Sequence, residues 1–112
     1  MKEPILNRKL VLEAPQRMPD GAGGFTTTWV VLGALWAEIR AGTGRERAVE
    51  GVTASIIPWK ITVRAARVGA PSRPKPEQRL RAGDRVFRIL AVAEADPAAR
   101  FLTCFAHEEV SA

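Results

Sequence analysis

Apolar positions along this chain recur mostly at every second residue, the spacing of strands that cover one face and wet the other. From Lys9 onward, Leu10, Leu12 and Ala14 fall on one side, with Lys9, Val11 and Glu13 on the other. The alternation is cleaner where Ile61, Val63 and Ala65 oppose Lys60, Thr62 and Arg64. Residues 25–40 open with Thr26, Thr27, Thr28, Trp29, Val30 and Val31 ahead of Gly33. This composition predicts two strands, or one bent strand with a bulge at the glycine. In its second half Leu35, Ala37 and Ile39 are expected to face in, and Trp36, Glu38 and Arg40 out. Residues 86–93 are apolar on both sides and predict a central strand. Residues 101–108 end the pattern by aligning Leu102, Cys104 and Ala106.

The connections are rich in breakers. Pro19-Asp20-Gly21-Ala22-Gly23-Gly24 reads as a flexible loop, and Pro71-Ser72-Arg73-Pro74-Lys75-Pro76 as an extended or turn segment. Segment 41–55 is long for a hairpin connection, and within it Arg45 to Val52 has the composition of a short turn or helix. The expected fold is all-β: one domain over 1–112, a small antiparallel β-barrel of about five to six strands. Little helix is expected, and the flexible loops fall at about 19–24, 41–55 and 70–79.

Composition supports one folded domain. The chain has 112 residues, 46% hydrophobic and 26% charged, enough for a core without disulfides. No apolar run reaches the length of a membrane span, and Met1-Lys2-Glu3-Pro4 lacks the apolar segment of a signal peptide. Seventeen Lys and Arg against twelve Asp and Glu give a net charge of +5, thirteen of the cations being Arg. That balance suits contact with phosphates, but it is also the usage of a GC-rich genome, and the cations are not gathered into one run.

Few residues suit catalysis. Cys104 is the one cysteine and His107 the one histidine, so disulfide frameworks and Cys- or His-rich metal sites are excluded. Three residues apart on a strand, the two side chains diverge, as do the adjacent Glu108 and Glu109. The glycines at 21, 23 and 24 precede a strand-like run, whereas a phosphate-binding loop must open a helix. No catalytic residue, metal or cofactor is expected. Trp29, Trp36 and Trp59 read as packing or interface residues, or as stacking platforms for bases.

Taken in order, several short motifs resemble the phage head–tail joining proteins, also called head-completion, head-closure or stopper proteins. Leu6-Asn7-Arg8 leads into Leu10-Val11-Leu12, and Asp20-Gly21-Ala22-Gly23-Gly24 precedes Trp29. Trp36-Ala37-Glu38-Ile39, Gly44-Arg45-Glu46 and Ile61-Thr62-Val63-Arg64 follow. Phe87-Arg88-Ile89-Leu90-Ala91-Val92 and Leu102-Thr103-Cys104 complete the set, so the resemblance runs from about Leu6 to Glu108. The proline-rich stretch 71–76 and Pro58 depart from it.

The resemblance implies a non-enzymatic barrel that forms a homo-oligomeric ring in the neck of a virion, assembled in the bacterial cytoplasm. The particle would be a phage, a prophage product or a gene-transfer particle. Such a ring sits between portal or adaptor proteins and the tail terminator or tail tube. It retains packaged double-stranded DNA without reading sequence and has no membrane partner. By position, segment 41–55 would be the channel-facing loop, with Arg45, Glu46, Arg47 and Glu50 near DNA. Asp20, Gly23, Gly24 and Trp36 are the candidate subunit interface. The alternative is a stand-alone nucleic-acid-binding module of OB or SH3-like type.

Overall fold

The computed structural model describes residues 3–42, 45–49, 52–56 and 58–109, with 45–49 and 52–56 described through their backbone. Eight strands and no helix occur among them. They are β1 (Arg8–Pro19), β2 (Phe25–Ala41), β3 (Arg45–Val49), β4 (Val52–Ile56), β5 (Trp59–Arg64), β6 (Arg79–Ala82), β7 (Arg85–Glu94) and β8 (Phe101–Glu109). Six close into a barrel in the order β1-β2-β5-β8-β7-β6, with β6 returning to β1 and every pair antiparallel. Strands β3 and β4 form a separate two-stranded sheet.

The period-2 pattern explains the core. Each barrel strand sends alternate side chains inward: Leu10 and Leu12 from β1, Ala37 from β2, Ile61 and Val63 from β5. Leu80, Phe87 and Ile89 come from the β6–β7 hairpin, and Leu102, Cys104 and Ala106 from β8. Such a barrel is a filled core, not a pore. Trp59 meets the Phe87 ring edge-on at 5.8 Å and closes one end of it.

Two bulges shape the wall. Leu12 pairs with Gly33 and Glu13 with Val31, so Leu32 is an extra residue on β2. The segment 25–40 is therefore one strand bulged at the glycine, one of the two readings its sequence allowed. The second bulge inserts Leu90 between Ile89, opposite Ala106, and Ala91, opposite Phe105.

The structure adds to or departs from the sequence reading at four places. Segment 41–55 is no loop with a helical turn: its described parts are the β3–β4 hairpin, tied at the base by Gly42 N–H donating to the Pro58 carbonyl at 2.7 Å. Strand β7 has neighbours on both sides, yet its outer face is open, with Leu90 exposed where the bulge turns it outward. Glu13 does lie on the outer face of β1, but it is buried because Arg79 and Arg81 cover it. Strand β6, four residues long, lay within and beside the segment read as loop. Its signal was the Gly83-Asp84 pair, a two-residue hairpin turn with Gly83 at φ 61°.

The Phe87 side chain is fully buried in this core. Phe87→Ala is expected to lower unfolding stability by about 3–5 kcal/mol, read as a lower denaturant midpoint with an unchanged slope.

Candidate functional site

Strand β2 is 17 residues long, but β5 pairs with it only from Ala37 to Ala41. Strand β1 meets β6 only from Val11 to Glu13. Beyond those pairings β1 and β2 have only each other, and they run on as a ribbon that overshoots one end of the barrel. The β3–β4 hairpin joins β2 at the opposite end, after Ala41. The chain is thus a barrel with two hairpins leaving opposite ends of one strand.

The ribbon tip organises itself. The Asp20 carboxylate accepts from the N–H of Ala22 at 2.8 Å and of Gly24 at 3.0 Å, while Asp20 N–H donates to the Gly24 carbonyl at 3.1 Å. Those amide donors hold the Asp20 carboxyl below its ordinary pKa. Gly21 and Gly23 take φ of 81° and 86°, a backbone region that side chains resist. A Cβ at Gly24 would stand 2.8 Å from an Asp20 oxygen, so this position too is shaped for glycine.

The ribbon root is braced by arginines. Arg79 lies over the Trp29 ring at 4.1 Å and Arg88 at 5.2 Å, while nearer the tip Arg17 covers Phe25 at 4.5 Å. Glu13 receives Arg79 at 2.6 Å and Arg81 at 3.2 Å. Burial pushes the Glu13 carboxyl up, but the hydrogen bonds and charges of the two guanidiniums outweigh it, and its pKa is lowered. Across the β7–β8 pair Arg85 grips Glu108 through two nitrogens, at 2.8 and 3.1 Å, and that hydrogen bonding lowers the Glu108 pKa. The β7–β8 turn is closed by Asp96, which accepts from the Arg100 side chain at 2.9 Å and from the Arg100 and Phe101 backbone. Its pKa is lowered as well, the Arg100 hydrogen bond being the largest cause.

The residues singled out from sequence are not brought together. Asp20, Gly23 and Gly24 cap the ribbon tip, whereas Trp36 stands 57% exposed on the barrel wall opposite Lys9. Gly24 and Trp36 are twelve positions apart, roughly 40 Å along β2. Arg45, Glu46 and Arg47 lie on β3 opposite Ile56, Ser55 and Ala54, and Glu50 lies outside the described residues. The Glu13–Arg79–Arg81 cluster went unread because its three members are 66 and 68 positions apart in the chain.

Catalytic chemistry finds no footing. Cys104 is buried among core side chains, and burial pushes its thiol up to about 12. His107, opposite Arg88, faces away from it. No group of three or more metal-binding side chains occurs among the described residues.

Two outcomes follow from these geometries. Thiol reagents are expected to leave Cys104 unmodified in the native protein and to label it on unfolding, followed by mass spectrometry. Glu13, Asp20, Asp96 and Glu108 all have lowered pKa values, so their contributions are complete above the ordinary carboxylate range and fade as pH falls through the lower folded-state values. The melting temperature should therefore fall between pH 5 and pH 2. Glu13→Gln should be less stable at pH 7 by about 1–3 kcal/mol and should show a shallower decline.

Comparison with known proteins agrees with this architecture. The family model for phage head completion protein matches residues 1–109. The structure is similar to a chain of the virion of a native gene transfer agent particle, with 55% identity and a TM-score of 0.80. The match covers 97% of this chain and 100% of that one. Comparison with curated proteins gives no match. The chain belongs to the phage head completion protein family, whose members are structural components of virions and not enzymes.

Proposed function

We propose that this chain forms a ring in the neck of a tailed phage or phage-like gene-transfer particle, joining the DNA-filled head to the tail and retaining the DNA. The observation that carries the reading is the end-to-end match to a chain of a gene transfer agent virion. The architecture supports it, because a filled barrel presents two hairpins at opposite ends. One hairpin suits contact within a ring or with portal and adaptor proteins, and the other suits the channel or the tail terminator and tail tube.

In this reading the β3–β4 hairpin faces the lumen. Its sequence mixes Arg45 and Arg47 with Glu46, and Glu50 follows. DNA carries about one charge per 1.7 Å of axis, so a uniformly basic loop would hold it during ejection, while mixed charge blocks the channel without gripping it. Trp36 and the ribbon tip at Asp20, Gly23 and Gly24 face neighbouring proteins.

Cryo-electron microscopy of particles carrying this protein tests the reading. The expected result is a ring of small barrels between portal and tail, with the β3–β4 hairpins pointing inward; absence of the protein from the neck would sink it. Trp36→Ala should keep the melting temperature within a few degrees while reducing incorporation into particles, since its side chain adds little to the monomer core. A large loss of monomer stability would show instead that Trp36 is a packing residue.

A further inference from the structure

The ribbon has two outer edges, and the chain treats them differently. The Asp20–Gly24 hydrogen bond sets the phase of the β1–β2 ladder, in which bonded and non-bonded pairs alternate. Pro19 with Phe25, Arg17 with Thr27, Pro15 with Trp29 and Glu13 with Val31 then fall in the non-bonded class. Residues in that class direct their N–H and C=O away from the partner strand. On β1 those outward positions include Pro15 and Pro19, which have no N–H to offer, and the charged Arg17. These are the usual means of keeping another strand off an edge. On β2 the outward groups belong to Phe25, Thr27, Trp29 and Val31, and residues 25–35 contain no proline and no charge. This edge is open.

A second open edge lies on β7. Gln78 and Glu77 exchange backbone hydrogen bonds with Ile89. Beyond it, residues 90–94 have backbone partners only on β8 among the described residues. Leu90-Ala91-Val92-Ala93 again carries no proline and no charge. Strands β5 and β8 stand between β2 and β7 in the barrel, so the two edges cannot pair within one chain. A head-to-tail contact requires two different surfaces on one molecule, and two different open edges meet that requirement.

We infer that the edge of β2 at residues 25–31 adds as a strand to the edge of β7 at residues 90–94 of a second copy of this chain. The faces match in kind. Phe25, Val31 and Leu90, each more than half exposed in the monomer, are apolar groups that cross-strand pairing would cover. Within the two stretches only Glu94, at the end of β7, is charged. The inference rests on the ring reading above and names its subunit contact.

Thr27→Pro tests it, because it deletes one outward N–H that the β1–β2 ladder does not use, and Thr27→Val serves as the control that keeps the backbone donor. Assembly of the purified chain is followed by sedimentation, folding by circular dichroism, and amide protection by hydrogen exchange. The expected result is assembly of the wild type and Thr27→Val, with protection gained at 25–31 and at 90–94. Thr27→Pro should melt like the wild type and assemble more weakly by about tenfold or more. Wild-type rings without gained protection at both stretches would overturn the edge contact and leave the ring standing. So would Thr27→Pro rings that form normally but no longer join tails, which would assign the β2 edge to another protein. Absence of a ring in the neck of particles would overturn both. The exchange measurement on the wild type decides the matter even where the proline variant fails to fold.

Discussion

Closure of this barrel depends on a seam only three residue pairs long, where Val11, Leu12 and Glu13 of β1 meet Arg81, Leu80 and Arg79 of β6. A seam that short has few ladder hydrogen bonds, and its strength comes from what each residue does besides pairing. Leu12 and Leu80 enter the core, while Glu13 sits between two guanidiniums on the outside. A buried carboxylate with one partner would be expensive; with two donors its desolvation is offset. The cluster also marks the point where β1 leaves the barrel. One residue further, β1 has only β2 beside it, and the Leu32 bulge lets β2 follow. The seam therefore both closes the wall and aims the ribbon.

The same arginines reach past the seam. Arg79, held by Glu13, is also the guanidinium nearest the Trp29 ring. Arg88, the cross-strand partner of Arg79 and also against that ring, is held by Glu109 at 3.4 Å. Barrel wall and ribbon root are thus coupled through Trp29, which fixes the projecting segment with partly buried contacts although it has no core of its own. Trp29 is consequently engaged within the chain and is not a free platform for a base, which weighs against the reading of the chain as a stand-alone nucleic-acid binder.

Most of the barrel was legible because period-2 alternation states directly which side chains point inward. Leu10, Leu12, Ile61, Val63, Leu102, Cys104 and Ala106 all occupy the core that their spacing implied. What alternation does not carry is pairing. Strand β6 is too short to show a period, and its place beside β1 depends on a contact between residues more than sixty positions apart. The β3–β4 hairpin escaped for a different reason: Arg45-Glu46-Arg47 has charge where a half-buried strand would show an apolar face, and a two-stranded sheet outside the barrel has no core to require one. Glu13 was assigned to the right face, but its burial comes from distant side chains and not from its neighbours in sequence.

The net charge of +5 pointed toward nucleic acid more strongly than the folded molecule does. Arg79, Arg81, Arg85, Arg88 and Arg100 are each held by a carboxylate of the same chain, and Arg17, Arg64, Arg79, Arg85, Arg88 and Arg100 also lie against aromatic rings. Much of the positive charge thus braces the barrel and its ribbon and does not stand as a free basic patch. Closing a sheet into a barrel removes its edges, so open edges survive only where a strand overruns its neighbours, as β2 and β7 both do. Residues 25–31 of β2 and 90–93 of β7 carry neither charge nor proline. The chain uses its cations for internal support and keeps its unpaired backbone uncharged, an arrangement that favours contact with other protein strands over capture of DNA.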